Sequence, residues 1–292
     1  MKFNTLLKIS FTIITLSISS SPSADNGKPD LWKVEKNRVT SYLFGSIHIG
    51  SEDMYPLSSA VTSAYKDASY LAVEIDLKPG SEMRMLPLVQ KHGLDMTTPL
   101  EQRLSPEGLA IFRKTCKERA LACAQFAPFR GWLLSAQLTV LQMQKLGYKE
   151  ELGIDKYFLN MAHKANKPVI SLESAQMQIE LMGTFDQQTQ ELMLVQSLQA
   201  TTQEIEGLFT AWKTGDDKAM LDMFMQGASD PKIKAMYLKL FDERNFKMVD
   251  KIDKNVSANK SLFVVVGAGH IIGRNGLLDL LTKAGFKVTQ VE

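Results

Sequence analysis

The stretch LFVVVGAGHIIG at residues 262–273 decides the fold of this chain. Its five leading apolar residues, closed by glycine, are typical of a strand that is buried on both faces. Near the other end, residues 42–50 read YLFGSIHIG, so a second apolar run stops at glycine and then presents a histidine. Of the four histidines, His48 and His270 occupy these two matching contexts. Because glycine allows a sharp turn and a close approach to a ligand, a histidine held there can serve as a metal ligand or a general base.

Other parts of the chain predict the rest of a sheet and many helices. Short apolar runs predict further strands at Leu31–Val34, Val39–Phe44, Tyr70–Ile75, Val169–Leu172 and Lys287–Val291. A helical run over 57–68 is long enough for the right-handed crossover that joins two parallel strands. Helical periodicity predicts helices over 106–119, 130–146, 153–165, 174–183, 188–213, 216–227, 231–240, 241–258 and 276–284. The sequence therefore predicts an α/β (α+β) fold, in which a small mixed β-sheet is surrounded by many helices.

The first 24 residues have the features of a secretory signal peptide. Lys2 and Lys8 give a positive start, an apolar stretch follows over 9–20, and small residues over 19–24 supply an approximate cleavage site. The apolar stretch is shorter than the roughly 20 residues that span a bilayer. We therefore expect an exported protein, periplasmic or secreted, without stable membrane insertion after removal of the signal peptide.

The remaining residues, 25–292, are expected to form a single domain with helical insertions at about 95–165 and 175–258. Without Lys2 and Lys8 the basic residues number 32, equal to the number of acidic residues. A protein with formal charge near zero has no overall field that attracts nucleic acid. We therefore expect no nucleic-acid partner.

Cys116 and Cys123 are the two cysteines, and the oxidising compartment of an exported protein favours a disulfide between them. Seven residues of unbroken helix separate two Cα atoms by about 10.5 Å, whereas a disulfide requires less than about 7 Å. The bond therefore requires residues 117–122 to leave the helix. The alternative is a pair of buried free thiols on successive helical turns.

Side chains able to ligate a metal follow four of the predicted strands. His48 follows the strand at 39–44, and Glu74 ends the strand at 70–75, with Asp76 close behind. Glu173 follows the strand at 169–172, and His270 follows the strand at 262–266. Ligands bind at the carboxyl ends of parallel strands, so we expect these side chains to converge at one edge of the sheet. Two histidines and two carboxylates at one edge predict a divalent-metal site or an acid/base cluster.

These residues belong to a wider set of motifs, which read YLFGSIH at 42–48, VEID at 73–76, GID at 153–155, SLE at 171–173, ERN at 243–245 and VGAGH at 266–270. With them the sequence resembles the TraB/GumN family, which includes the Tiki proteins and has two GxxH motifs with a glutamate between them. The resemblance covers nearly all of the chain after the signal peptide. It implies an erythromycin-esterase/ChaN-like architecture and, from the Tiki-like members, metal-dependent peptidase activity.

The resemblance also assigns roles to individual residues. It implies that His48, Glu74 and His270 are the ligands of a divalent metal ion. Such an ion lowers the pKa of a bound water and polarises the scissile carbonyl. Histidine and carboxylate ligands without thiolate suit Zn, Mn or Co about equally well.

Three more residues are expected to take part in catalysis. Glu173 is a candidate for a fourth metal ligand or for the base that activates water. Arg244 and Asn245 lie on a predicted helix and are expected to reach the same pocket. There Arg244 stabilises a developing oxyanion, an effect of a few kcal/mol in sites of this type.

Each candidate also has a purely structural interpretation. In that interpretation His48 and His270 are hydrogen-bonded core histidines, and Glu74 forms an ion pair with a lysine. Glu173 caps the following helix, and Arg244 pairs with a neighbouring carboxylate on the helix surface. The matching glycine contexts of the two histidines favour the functional interpretation.

Three further polar residues are not expected to take part in catalysis. Asp155 is expected to brace the start of a helix, and His92 and His163 lie among polar residues and are expected to be solvated. Neither an HExxH nor a GxSxG motif is present, which argues against zincin and α/β-hydrolase mechanisms.

Together these features predict an exported metal-dependent hydrolase, a peptidase or amidase that acts on a peptide or protein substrate. The alternative is a non-catalytic protein that holds haem, a metal or a peptide in the same pocket. Hydrolysis requires a spare carboxylate or arginine beside the metal ligands, whereas binding alone does not. Glu173 and Arg244 are candidates for that part and favour the enzyme.

Overall fold

The computed structural model describes residues 30–78 and 80–291, and the predicted signal peptide at 1–24 lies outside this part of the chain. The described residues include a six-stranded sheet. Its strands are β1 (Leu31–Lys36), β2 (Val39–Ser46), β3 (Tyr70–Val73), β4 (Val169–Ser171), β5 (Leu262–Gly267) and β6 (Lys287–Gln290). The strand order is β4-β3-β5-β2-β1-β6.

Helices make up most of the remaining described chain. They are α1 (Ser59–Asp67), α2 (Ser81–Gly93), α3 (Leu100–Arg103), α4 (Pro106–Glu118), α5 (Gly131–Lys145), α6 (Ile154–Lys164), α7 (Ala175–Gly183), α8 (Gln187–Gln199), α9 (Thr202–Thr214), α10 (Asp217–Phe224), α11 (Pro231–Tyr237), α12 (Glu243–Ser257) and α13 (Leu277–Lys283). The predicted α/β class, with a small mixed sheet and many helices, is confirmed. Within residues 30–78 and 80–291, no helix is long and apolar enough to cross a membrane.

Four parallel strands place their carboxyl ends at one edge of the sheet. β5 lies between β2 and β3, and β4 continues the sheet beyond β3. In register, Ser46 pairs with Gly267, and Val73 pairs with both Val265 and Ser171. β1 runs antiparallel to β2 and forms a hairpin with it, and β6 pairs with the other edge of β1.

Aromatic side chains fix the two central strands against the helices. Phe44 of β2 and Phe263 of β5 stack with ring centroids 6.1 Å apart. Phe158 of α6 lies 4.8 Å from Phe263, and Tyr65 of α1 lies 5.7 Å from it. The three phenylalanines are almost completely buried, and each contributes about 1.5–3 kcal/mol by leaving water. This packing holds the strands that lead into the edge described above.

The predicted single helix over 188–213 is wrong, because the structure divides it into α8 and α9. Thr201 separates them with a capping box, in which the Glu204 N–H donates to the Thr201 hydroxyl and the Thr201 N–H donates to the Glu204 carboxylate. Such a box satisfies two backbone donors at the start of a helix. Helix α2 was not predicted from the sequence, and it contains Pro87 in its interior, a residue that normally argues against a helix.

The helices predicted separately over 231–240 and 241–258 are continuous in the structure. A π-helical turn, Leu238–Asp242, joins α11 to α12. Such turns are rare and leave backbone carbonyls free of their usual helical partners. The turn immediately precedes Arg244 and Asn245, so it sets the direction in which these two side chains point.

The cysteines form the predicted disulfide, and the geometric condition for it is met. Helix α4 ends at Glu118, and Ala120 has a left-handed backbone with φ of 49°. This reversal brings the Cα atoms of Cys116 and Cys123 to 6.0 Å. The alternative of two free thiols on one helix is excluded.

Candidate functional site

The carboxyl edge of the sheet brings together the residues predicted for it. His48 lies just beyond β2, Glu74 directly follows β3, Glu173 lies just beyond β4, and His270 follows β5. At the centre is Gly267, where an added Cβ would lie 3.3 Å from Oε1 of Glu74 and 3.8 Å from Nε2 of His48 and Cδ2 of His270. The absence of a side chain at Gly267 therefore leaves a space that these three residues surround.

Glu74 is buried and is held through both carboxylate oxygens. Its Oε1 accepts the Gly267 N–H at 2.8 Å, and its Oε2 accepts hydrogen bonds from Arg244 at 2.6 Å and Gln178 at 3.0 Å. Burial alone raises the pKa of Glu74, but the nearby charges, that of His270 first, outweigh it and lower the pKa to about 2. Glu74 is therefore ionised at neutral pH.

Arg244 joins the two carboxylates of the site. Its Nε donates to Glu173 at 2.9 Å, and its Nη2 donates to Glu173 at 2.5 Å and to Glu74 at 2.6 Å. Gln178 donates to Glu173 at 2.8 Å and so spans the same pair. The Glu173 side chain is completely buried, so the water that Glu173 would need as a base has no direct access to it.

The π-helical turn explains how Arg244 reaches this position. Nη1 of Arg244 donates to the carbonyl of Leu240 at 2.9 Å, within that turn. This hydrogen bond ties the guanidinium to the backbone of the turn that precedes it. The guanidinium is thereby fixed at three of its nitrogen atoms.

His270 is buried, and its two ring nitrogens have different surroundings. Nδ1 lies 2.6 Å from Oδ1 of Asn245, and Nε2 lies 3.8 Å from Oε1 of Glu74. Burial lowers the pKa of His270 to about 4, although the Glu74 charge acts in the opposite direction. The imidazole is therefore neutral at neutral pH, which is the form that can ligate a metal.

His48 is held by Asp155, at the start of α6. Nδ1 of His48 lies 3.1 Å from Oδ1 of Asp155, an ion-pair distance, and no hydrogen bond of good geometry reaches that oxygen in the described part of the chain. Two-thirds of the His48 side chain is exposed. Loss of hydration on its packed side lowers the pKa of His48. The neighbouring Asp155 carboxylate outweighs this effect and raises the pKa from 6.5 to about 9.

Asp155 reaches His48 because the chain comes unusually close at Gly153. The Ile154 N–H donates to the carbonyl of Ile47 at 2.9 Å. A Cβ at Gly153 would lie only 2.3 Å from the backbone oxygen of His48. The GID motif thus couples the start of α6 to the first GxxH motif, and Asp155, which makes no capping hydrogen bond in the first turn of α6, lies against the histidine instead.

The donor set fits a divalent cation in its chemistry. Each histidine has Nδ1 against a side-chain oxygen, an arrangement typical of metal-bound imidazoles that leaves Nε2 for the metal. Zn–N and Zn–O bonds of about 2.1 Å allow two ligand atoms to lie up to about 4.2 Å apart, and Nε2 of His270 and Oε1 of Glu74 are 3.8 Å apart. Over residues 30–78 and 80–291, however, no three His, Cys, Asp or Glu side chains are already spaced as a complete metal centre. Because the pKa of His48 is raised to about 9, a metal bound there at neutral pH would also have to displace a proton from this imidazole.

The structure also corrects the expectation for the remaining histidines. Nε2 of His163 lies 2.8 Å from Oδ1 of Asp76, and the His163 side chain is only 31% exposed. His92 is partly buried, packs on Gly183 of α7, and has a buried Nε2 without a partner. Polar neighbours in sequence do not keep a side chain in solvent when another element packs over it.

Sequence reasoning did not identify Gln178 or the role of Asp155. Gln178 has no sequence signal, because it lies on α7 far from Glu74 in the chain. Asp155 does have a sequence signal, the GID motif, but the motif was interpreted as structural only. Five of the six predicted site residues are linked by contacts, in which Arg244 reaches the two carboxylates, Asn245 reaches His270, and His270 lies 3.8 Å from Glu74. His48, the sixth, lies beside Gly267 and contacts Asp155.

The sequence profile of the TraB/PrgY/gumN family matches residues 30–290. The chain belongs to this family. Two relatives are the uncharacterized protein YbaP of Shigella flexneri, 28% identical over 248 residues, and that of Escherichia coli strain K12, 28% identical over 247 residues. Each alignment covers 82% of this chain and 87% of YbaP. No solved structure matches the chain. This member of the TraB/PrgY/gumN family has two GxxH motifs, and their histidines lie at one edge of the sheet.

Proposed function

We propose that this protein is an exported metal-dependent hydrolase that cleaves a peptide or amide bond. The observation that supports the proposal is the convergence of His48, Glu74 and His270 around Gly267. Two imidazoles and one carboxylate oxygen lie within 3.8 Å of the position that a side chain at Gly267 would occupy. A Zn, Mn or Co ion bound there would lower the pKa of a coordinated water and polarise the scissile carbonyl.

The surrounding residues orient these three side chains. Asp155 holds Nδ1 of His48, and Asn245 holds Nδ1 of His270, so both imidazoles can direct Nε2 inward. The Gly267 N–H holds Oε1 of Glu74 beside them. Side chains that are fixed before the substrate arrives need little reorganisation during the reaction.

Arg244 has one hydrogen-bond donor left for a substrate. A guanidinium carries five N–H groups, and four of them are used by Glu173, Glu74 and the Leu240 carbonyl. In this proposal the remaining Nη1–H of Arg244 faces a substrate oxygen that gains negative charge. Glu173 holds the guanidinium in place through both of its oxygens.

A second candidate function is binding without turnover, of a metal, haem or peptide. It is favoured by the surroundings of Glu173, whose two oxygens both accept hydrogen bonds from Arg244 and whose side chain is completely buried. The lone pairs that remain on this carboxylate are out of reach of a water in the pocket, so Glu173 cannot take a proton from it. If no other group takes this proton, the pocket holds a ligand but does not hydrolyse it.

The compartment proposed is outside the cytoplasm. The Cys116–Cys123 disulfide supports it, because structural disulfides persist in oxidising compartments and are rare in the cytosol. The signal-peptide features of residues 1–24 point in the same direction.

The proposal is tested by metal binding in wild type and in Gly267→Ala. The backbone of Gly267 has φ of −50°, which alanine adopts without strain, while the new Cβ fills the space beside Oε1 of Glu74. Gly207→Ala on helix α9 is the matched control, since its Cβ meets only the flexible end of Met223. Calorimetric titration with ZnCl2, MnCl2 and CoCl2 is expected to give near-stoichiometric binding in wild type and Gly207→Ala and much weaker binding in Gly267→Ala.

Absence of binding in wild type, or equal binding in Gly267→Ala, would contradict the proposed metal site. If the wild type binds metal, mass spectrometry on a mixed peptide pool measures peptide cleavage by the protein with and without the bound metal. Metal-dependent cleavage supports the hydrolase. Metal binding without any cleavage supports the second candidate.

A further inference from the structure

The amide of Asn245 has a fixed orientation because one of its neighbours can only accept. Nδ2 of Asn245 donates to the backbone carbonyl of Asn275 at 2.8 Å, and Oδ1 lies 2.6 Å from Nδ1 of His270. A backbone carbonyl has no proton to give. If the amide were reversed, two oxygen atoms would face each other at hydrogen-bond distance. The Asn275 carbonyl therefore directs the acceptor of Asn245 toward His270.

The acceptor in turn decides which nitrogen of His270 carries the proton. A neutral imidazole has one N–H donor and one acceptor nitrogen. Against the oxygen of Asn245, Nδ1 has to be the donor. The opposite tautomer would place two acceptors 2.6 Å apart in a buried site, since Asn245 is 1% and His270 3% exposed. Unpaired buried polar groups are costly, so the protein disfavours that tautomer.

Asn275 is itself fixed from the other side. Its side-chain amide donates to Oδ2 of Asp242 at 2.6 Å, and Asp242 is the buried last residue of the π-helical turn. A connected series therefore runs from Asp242 through Asn275 and Asn245 to His270. Asp242 and Asn245 lie on either side of Arg244 in the sequence. One short segment, 242–245, therefore positions both His270 and the two carboxylates that Arg244 contacts.

We infer that Asn245 is a positioning residue that, with the carbonyl of Asn275 and its Asp242 brace, holds His270 in the Nδ1–H tautomer and leaves the lone pair of Nε2 directed into the pocket. Asn245 was expected to be catalytic, and this inference gives it a different role. What Nε2 then binds rests on the proposed function, whereas the tautomer does not.

The first test is the tautomer of His270 in the metal-free protein. Nitrogen-15 NMR at neutral pH distinguishes a protonated from an unprotonated ring nitrogen, and comparison with His270→Gln assigns the signals. Wild type is expected to show Nδ1–H and a bare Nε2. A predominance of Nε2–H in wild type would overturn the inference without any variant being needed.

Variants of Asn245 then separate positioning from mere packing. Asn245→Leu removes both hydrogen bonds at similar volume and is expected to lose the tautomer preference. Asn245→Asp keeps an oxygen acceptor toward Nδ1 and is expected to keep Nδ1 protonated, although its second oxygen faces the Asn275 carbonyl and its charge favours a proton on both ring nitrogens. Asn255→Leu on the same helix is the control, because the Asn255 amide bonds only within that helix and to Lys260. Retention of the Nδ1–H form in Asn245→Leu would contradict the assigned role.

Zinc affinity gives a second measurement on the same variants. Partners that orient a ligating histidine typically change metal affinity 10- to 100-fold when removed. We expect a loss in that range for Asn245→Leu, a smaller loss for Asn245→Asp and none for Asn255→Leu. If wild type bound no zinc, the proposed function would fail, while the NMR result would still decide the inference. Zinc binding that is unchanged in Asn245→Leu would contradict the positioning role.

Discussion

The buried carboxyl of Asp30 makes the stability of this protein depend on pH. Asp30 is 2% exposed; its Oδ1 accepts from Trp32 at 2.6 Å, and its Oδ2 has no hydrogen-bond partner among residues 30–78 and 80–291. Burial, with the nearby charge of Asp217, raises the pKa of Asp30 from 3.8 to about 7. A shift of roughly three units at about 1.4 kcal/mol each corresponds to about 4 kcal/mol between the protonated and ionised forms.

The sign of the effect follows from proton binding. Between about pH 4 and 7 the folded protein holds a proton on Asp30 that the unfolded chain has already released. The free energy of unfolding therefore falls as pH rises through this window, and is constant with respect to this group above and below it. Asp30→Asn keeps the acceptor for Trp32 and removes the charge. Its stability relative to wild type should rise by up to about 4 kcal/mol from pH 4 to pH 8.

Urea unfolding at pH 4, 5, 6, 7 and 8 measures this difference. Asp250→Asn, at an exposed position on α12, is the control and should show no comparable slope against wild type. A change in packing caused by Asp30→Asn adds an offset that is the same at every pH, so the slope is the decisive quantity. A difference between Asp30→Asn and wild type that does not vary with pH would refute the reasoning.

Three other predictions concern stability. Arg244→Met leaves two buried carboxylates without their cationic partner and should lower the free energy of unfolding by about 3–5 kcal/mol. Adding Glu173→Gln should restore part of this loss in urea unfolding, and strictly additive losses would contradict the ion-pair cluster. Thr201→Ala removes the capping box and should cost about 1 kcal/mol, with no loss in thermal unfolding arguing against the cap. Replacing both Cys116 and Cys123 by serine opens a short loop and should cost about 2.5 kcal/mol in the chain-entropy treatment, and reduced wild type should match that variant.

Much of the candidate site could be predicted from sequence because its residues lie at strand ends. The apolar runs before His48, Glu74, Glu173 and His270 indicate buried strands, and parallel strands end at a common edge. This reasoning needs only local patterns and one rule of topology. The strand ends themselves shift slightly, since β3 ends at Val73 rather than at Ile75, without moving the edge.

The partners of these residues were less predictable, for two different reasons. Gln178 and Asn275 act through contacts between distant parts of the chain, and no local spacing reveals such contacts. The division between α8 and α9 was predictable, because Thr201 followed three positions later by Glu204 is the capping-box pattern. There the continuous helical periodicity of 188–213 outweighed a start signal that lay inside it.

The position of β5 in the sheet has a consequence for the order in which the protein folds. β5 lies between β2 and β3, yet it comes almost last in the chain. Before it is inserted, β1 with β2 and β3 with β4 are separate pairs, each with an open edge. Gly267 and His270 arrive with the same segment. A chain that is still being synthesised, or one clipped before β5, therefore lacks two of the residues that form the pocket, and strand order delays assembly of the pocket until nearly the whole chain is made.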